Sequence, residues 1–348
     1  MTRATSLHDT VRAWPKAELH LHLEGSIEPW TAVELAAHHG HELTLQHVHA
    51  RYKYADFLGF LDAFKWVTSF VREPQDYALI ARRLVETLRE QNVVYAEVTL
   101  SIGVMLLRKQ DVAANFAALR SAAENAAGSA LRVQWVFDAA RQFGVEQAME
   151  VARLAAQHRR EGVVALGMGG DELAIPAEEF RGVYDFVRSQ GLHALVHAGE
   201  VGGADEVRRA VEVLGAERVG HGIAAVQDGD VMELLAERRI PLEVCPTSNL
   251  RTGALAKLAG SERTGLADHP VAELFHGGAP VTLSTDDPAM FQTNLIREYE
   301  VATAAGLHLQ DLARIAEESI HAAFLPESQR DALLARFREM LRVQGLVY

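Results

Sequence analysis

A single cysteine, Cys245, stands among 348 residues. No disulfide can close within the chain, and the reducing cytoplasm is the expected setting. Basic residues are in deficit: 34 Lys and Arg against 47 Asp and Glu give a net charge of −13. That balance argues against nucleic-acid binding through a basic surface and leaves no polybasic patch for a membrane. No apolar run is long enough to span a bilayer, and the first residues (MTRATSLHDTVRAWPK) lack the apolar core of a secretory signal. Neither nucleic acid nor membrane is therefore an expected partner. Repeats, low-complexity tracts and linkers are missing too, so residues 1–348 are read as one domain. What remains is globular, 49% hydrophobic and 23% charged, with ample length for a large core.

The most informative stretch is Pro15-Lys-Ala-Glu-Leu-His-Leu-His-Leu-Glu-Gly-Ser26. Leu19, Leu21 and Leu23 alternate with His20, His22 and Glu24. On a strand, alternate side chains share a face, which places two imidazoles together at the end of the run. Such a pair is a ready half of a zinc site, although a lone HxH is equally a strand with two core histidines.

Further along, Glu28 to His39 reads as a helix with Pro29 in its first turn. His41 to Tyr54 reads as irregular. The histidines there (His38, His39, His41, His47, His49) follow no strand and are expected to be solvated. Phe57, Phe60, Leu61, Phe64 and Val67 recur at helical spacing, giving a helix over 56–70 that packs on the core with one or two aromatics facing a ligand. Helix 76–91 precedes strand Val93–Leu100. Strands then follow at Leu131–Asp138, Val163–Met168, Ala194–His197, Arg218–Gly222, Pro241–Cys245 and Val281–Ser284, with helices between them and helices from about 293 onward. Eight apolar runs alternating with helices predict an α/β fold: a single (β/α)8 TIM barrel with extra helices after strand 1 and at the C-terminus. In that fold the chemistry sits at the C-terminal ends of the strands. His20 and His22, Gly170 and Asp171, His197 and Glu200, His221, and Asp286 and Asp287 all fall there.

Three imidazoles and a carboxylate, His20, His22, His197 and Asp286, form a plausible set for one zinc with an open position for water. Zinc would bring the pKa of that water towards neutrality. Glu200, just past the Ala198-Gly199 turn, suits a carboxyl held protonated as a general acid. His221, between Gly220 and Gly222, suits orienting or deprotonating the water. Asp287 projects away from its ligand neighbour and is suited to meet a substrate ring nitrogen, whereas Gly170, with its bare backbone N–H at the rim, reads on its own as a turn glycine. Cys245 reads as a barrel residue.

PKAELHLHLEG, GGDE, HAGE, VGHGI, CPTSN and STDDPAMF, in this order, resemble the adenosine deaminase family across essentially the whole chain. The resemblance implies a hydrolytic enzyme with one Zn2+ per chain that replaces the 6-amino group of a purine nucleoside by oxygen and releases ammonia. It implies zinc ligation by His20, His22, His197 and Asp286. It implies catalytic roles for Glu200 (proton donor to N1), His221 (beside the attacking hydroxide) and Asp287 (on N7). It sets His22, Glu24, Gly170 (N–H on N3) and Asp287 against the substrate. A cytidine-type site would use cysteine ligands. A two-metal barrel hydrolase would need a lysine at the end of strand four, where Met168-Gly-Gly-Asp171 stands. A barrel that had become a binding protein would be expected to lack a ligand or the acid, and neither is missing.

The resemblance implies a small purine nucleoside as the substrate. The adenosine-specific branch carries Asp where this chain has Glu24. Segments 64–70, 95–101 and 243–249 look most like the 6-aminodeoxyfutalosine deaminases of an alternative menaquinone pathway, with adenosine or adenine deamination in purine salvage as the other reading. The favoured substrate carries a benzoate on its sugar side. It would need an apolar slot, for which Phe57, Phe60 and Trp66 are candidates, and a cation, for which Arg141, Arg251 and Lys65 are candidates.

Overall fold

The computed structural model describes residues 6–54 and 56–346. Eight parallel strands follow in chain order: β1 (Lys16–His22), β2 (Val93–Leu100), β3 (Arg132–Ala140), β4 (Val163–Gly169), β5 (His193–Ala198), β6 (Arg218–His221), β7 (Leu242–Val244) and β8 (Val281–Leu283). Each pairs with the next in the sequence. The ring is nearly closed by a parallel bridge between Leu21 and Asp286. Its hydrogen bonds run from the Asp286 N–H to His20 O at 3.0 Å and from the His22 N–H to Asp286 O at 2.8 Å. The architecture is the expected TIM barrel. Parallel strands need long crossovers, and helices supply them.

The helices bury an apolar stripe against the sheet. Pro74–Glu90 is representative: Tyr77, Ile80, Ala81, Leu84, Val85 and Leu88 are buried at i, i+3, i+4 spacing. Three helices, Pro29–His38, Leu45–Arg51 and Phe57–Thr68, intervene between β1 and that crossover helix, and Leu295–Ala304, Leu309–Ala322 and Glu327–Val343 finish the chain. An N-terminal helix, Leu7–Ala13, precedes β1, and the Lys16 ammonium donates to the Val11 and Trp14 carbonyls at its end, 2.9 Å each. No helix among the described residues is long and apolar enough to cross a membrane.

Two expectations need correction. His41–Tyr54 is not wholly irregular: Leu45–Arg51 is a helix, with the Thr44 hydroxyl accepting from the His47 N–H. Its lone buried side chain, Val48, gave little periodicity to read. Strict alternation also fails in β1. Glu18 pairs with Ala96 but Leu21 with Val98, so three steps on β1 face two on β2. Because of this bulge Glu18 sits with Trp30, Arg83 and Leu88 on the helical side. Leu19 and His20 line one small cavity together. His20 and His22 still share a face, their ring centres 5.4 Å apart.

Candidate active site at the C-terminal mouth of the barrel

His20 and His22 end β1, His197 lies in β5, His221 ends β6 and Asp286 follows β8. The structure brings all five together. His20 lies 4.6 Å from His197 and 5.0 Å from His221, ring centre to ring centre. Asp286 Oδ1 is 3.4 Å from His22 Nε2 and 3.6 Å from His20 Nε2. Donor atoms of His20, His22 and Asp286, and of His20, His197 and His221, fall within 4.8 Å of one another.

The hydrogen bonds behind these side chains fix what they present. Glu243 accepts from His20 Nδ1 at 2.8 Å, and the Met168 carbonyl accepts from His197 Nδ1 at 3.1 Å. A carbonyl cannot donate, and Arg218 favours the ionised Glu243 carboxylate, so each Nδ1 carries a proton and each Nε2 is the atom left to face the mouth. His20 Nε2 is buried with no hydrogen-bond partner. Ser248 Oγ donates to Asp286 Oδ2 at 2.6 Å, aiming the carboxylate. Asp286 and His221 both adopt left-handed backbone, φ 64° and 61°, which is uncommon outside glycine and marks strain held by the surrounding fold. Two imidazoles with Nε2 turned to the mouth, a third histidine and a fixed carboxylate on one buried cluster fit a divalent cation of zinc's preferences, which would replace any proton on Nε2.

Behind His20 a charged chain crosses the barrel. Glu243 Oε1 accepts from Arg218 Nε at 2.6 Å, and Arg218 also pairs with Glu97. All three are buried. Two carboxylates around one guanidinium leave the barrel centre anionic, which also favours a cation at the mouth.

Glu200 stands beside the cluster. Thr252 Oγ1 donates to it at 3.2 Å, and its Oε2 lies 3.6 Å from His221 Nε2. Burial, then the charges of Asp286 and Glu172, push its pKa up to about 8. A carboxyl in that condition holds a proton at neutral pH. Its turn is tied down by Glu172, whose carboxylate accepts the N–H groups of Gly199, Val201 (2.9 Å) and Gly202 (2.8 Å). Asp287 is buried, with one oxygen unpartnered and a pKa raised by burial and by Asp286. Gly25 makes room for it: a Cβ there would lie 1.8 Å from Asp287 Oδ1. Glu24 is buried too, accepting from the Ser101 N–H at 3.2 Å, and burial raises its pKa to about 7. Gly170 lies at the rim with φ 87°. A side chain there would meet Gln142.

Sequence reasoning missed four neighbours of this site. Gln142 accepts from the Asp171 N–H at the rim, 2.9 Å. Asn249 and His269 stand behind His221. Asp138 shares a cavity with His20 and His197, and burial lifts its pKa to about 8. The expected end of strand three was Asp138 itself, which was the signal available for it. The candidate cations separate. Arg141 is buried and tied to the Glu172 carbonyl (2.7 Å) and Glu206 (3.4 Å), so it is a structural arginine. Lys65 is exposed. Arg251 lies 5.7 Å from the Tyr54 ring centre, with a buried Nε that has no partner. Tyr54, Phe57, Phe60 and Phe291 form one aromatic cluster, whereas Trp66 packs on Phe70 and Arg51. Of the five histidines over 38–49, His38, His41, His47 and His49 are exposed as expected, but His39 is not solvated: its side chain is largely buried and binds buried Asp76 at 2.8 Å. A groove of about 870 Å³ among Arg120, Arg132, Arg159, Arg160 and Arg336 lies at the other end of the barrel and holds none of these residues.

The family profile described as adenosine deaminase matches residues 15–340. The chain belongs to the adenosine deaminase family. It is 40% identical over 328 residues to the aminodeoxyfutalosine deaminase of Streptomyces coelicolor, covering 92% of this chain and 82% of that one. The adenine deaminase of Sinorhizobium fredii is 34% identical over 324 residues, covering 92% and 97%. The crystal structure of adenine deaminase from Arthrobacter aurescens superposes with a TM-score of 0.84 at 28% identity, covering 95% of this chain and all of that one, 100%. Members of the family are metal-dependent hydrolases of C–N bonds in cyclic amidines, and this chain is a purine deaminase of that kind. The motifs HLH, HAGE, VGHGI, CPTSN and STDD converge at the mouth cluster.

Proposed function

We propose that the chain is a zinc-dependent deaminase of 6-aminodeoxyfutalosine, acting in menaquinone biosynthesis as one barrel domain over residues 1–348. One zinc would be held by His20, His22, His197 and Asp286. The observation that carries the reading is the convergence of these donors with a carboxyl held protonated, Glu200, at one mouth. Bound zinc supplies a water activated at neutral pH.

The protein side chains do the rest. The Gly170 N–H and Asp287 hold the purine at N3 and N7 and fix its C6 over the cluster. For N7 the Asp287 carboxyl must carry a proton, which its raised pKa supports. Glu200 gives its proton to N1, drawing electrons from C6 and opening it to attack. His221 lines up the attacking water; of that water's two protons one restores Glu200 and the other leaves on the 6-amino group as ammonia, giving the 6-oxo product. Glu24, in the turn that follows β1, would meet the sugar hydroxyls.

Arg251 beside the Tyr54 aromatic cluster supports the benzoate-bearing substrate, because a guanidinium reads a carboxylate directionally and aromatic rings cover its ring. Relatives named aminodeoxyfutalosine deaminase at 36–40% identity point the same way. The test is turnover of 6-aminodeoxyfutalosine, adenosine and adenine by the zinc-loaded protein. The first should have the highest kcat/KM. Arg251→Ala should lower that value at least about tenfold and spare adenosine, since a lost charge-assisted contact is worth roughly 1.5–3 kcal/mol. Equal or better turnover of adenosine or adenine would overturn the substrate and leave the salvage reading.

A further inference from the structure

Behind His221 runs a hydrogen-bonded relay that the chemistry above does not use. The Val271 N–H, in the first turn of the helix Val271–His276, points at His269 Nδ1, 3.1 Å away. His269 Nε2 lies 3.1 Å from Asn249 Oδ1, and Asn249 Nδ2 lies 3.1 Å from His221 Nδ1. His221, Asn249 and His269 are all buried, 1%, 0% and 3% exposed.

The direction of every bond follows from its first member. A backbone N–H can only donate, so His269 Nδ1 is an acceptor and its proton sits on Nε2. That proton needs an acceptor, which sets the oxygen of Asn249 towards His269. The Asn249 amino group then faces His221 and donates to Nδ1. His221 in its neutral form therefore carries its proton on Nε2, the atom 3.6 Å from Glu200 and 4.0 Å from Asp286. Burial keeps His269 neutral. This is the reverse of His20 and His197, whose partners at Nδ1 are acceptors.

We propose that Asn249 and His269 are positioning residues that hold His221 in the Nε2–H tautomer. In that form His221 donates a hydrogen bond to the attacking oxygen. It neither ligates the metal nor takes a proton through Nε2. The role rests on the deaminase reading of the site, whereas the tautomer does not. It explains why a fourth histidine at the cluster is not a fourth imidazole ligand, and why CPTSN ends in an asparagine.

The experiment is nitrogen NMR of histidine-labelled protein, loaded with zinc and chelated, combined with kinetics of Asn249→Asp and Asn249→Ser. In the wild type, His221 Nε2 should show the protonated shift and Nδ1 the bare one. In Asn249→Asp the carboxylate accepts from both sides, so the His221 proton should move to Nδ1. With the donor gone, kcat should fall about a hundredfold, the scale on which a wrong tautomer or a lost orienting partner acts, with KM and zinc content nearly unchanged. Asn249→Ser, a neutral and smaller change, should give an intermediate loss if the buried charge of Asn249→Asp prevents folding. A wild-type His221 protonated on Nδ1 would overturn the proposal, as would an Asn249→Asp enzyme that keeps its rate after the proton has moved. If His221→Ala itself retains full turnover, the deaminase role of His221 fails while the tautomer result stands.

Discussion

At the scale of single residues, the site is set by which atom of each side chain carries a proton. Glu200 shows this most directly. Glu200→Gln keeps the shape and removes the proton, so turnover should drop at least about a hundredfold, a typical contribution of general-acid catalysis. Metal content should stay level, because Glu200 is not among the clustered donors. Near-normal turnover would show that another group protonates the ring. The pH dependence carries a sign as well. An acid works only while protonated, so activity should fall on the alkaline side. The Glu200 pKa near 8 owes part of its rise to the Asp286 charge, which a bound dication offsets. The alkaline limb of kcat/KM should therefore have an apparent pKa no higher than about 8, and Glu200→Gln should abolish it. A profile flat to pH 10 in the wild type would contradict the assignment.

At the scale of elements, strands β2, β6 and β7 are joined inside the barrel by Glu97, Arg218 and Glu243. Arg218 also donates to the Ala322 carbonyl at 2.6 Å and lies 3.9 Å from the Phe324 ring centre, tying the barrel floor to the C-terminal helices. Removing the central charge leaves two buried carboxylates unpaired. Arg218→Met should therefore destabilise by about 3–5 kcal/mol, the usual cost of breaking a buried ion pair from one side. The urea midpoint measures it, and a loss under about 1 kcal/mol would show that the carboxylates are neutral or otherwise satisfied. The Glu172 clamp on the turn after β5 works over a shorter range. One carboxylate gathers three N–H groups that the loop would otherwise leave to water, so Glu200 starts from a fixed backbone.

At the scale of the molecule, the proposed ligands come from β1, β5 and the segment after β8, and His221 from β6 stands beside them, so only the closed barrel assembles the site. A metal that binds the folded chain alone stabilises it by mass action, about 4 kcal/mol at a thousandfold excess over Kd. Chelation should lower Tm by roughly 5–10 °C for a chain of this size. Zinc should restore both Tm and activity, and Asp286→Ala should respond weakly to either treatment. Chelated protein with unchanged Tm and full turnover would remove the metal from the account.

The eight-strand rhythm, the helices between strands and the row of polar residues at strand ends were all legible in the sequence. They rest on local periodicity and on the chemistry of residue types, which need no knowledge of distant contacts. The His20 and His22 pair was legible for the same reason. The bulge in β1 was not, since it is a pairing register and exists only between two strands. Arg141 and Arg251 look alike in the sequence, and only packing made one structural and left the other beside an aromatic cluster. Asn249 was quoted within a motif without a role. Its function depends on His269, twenty residues later, and on the N–H of Val271, which the fold brings to it. Sequence alone determined which groups were available for chemistry. Tertiary structure decided which atom of each faces the mouth, because a proton's place on a buried imidazole is set by neighbours that are distant in the chain.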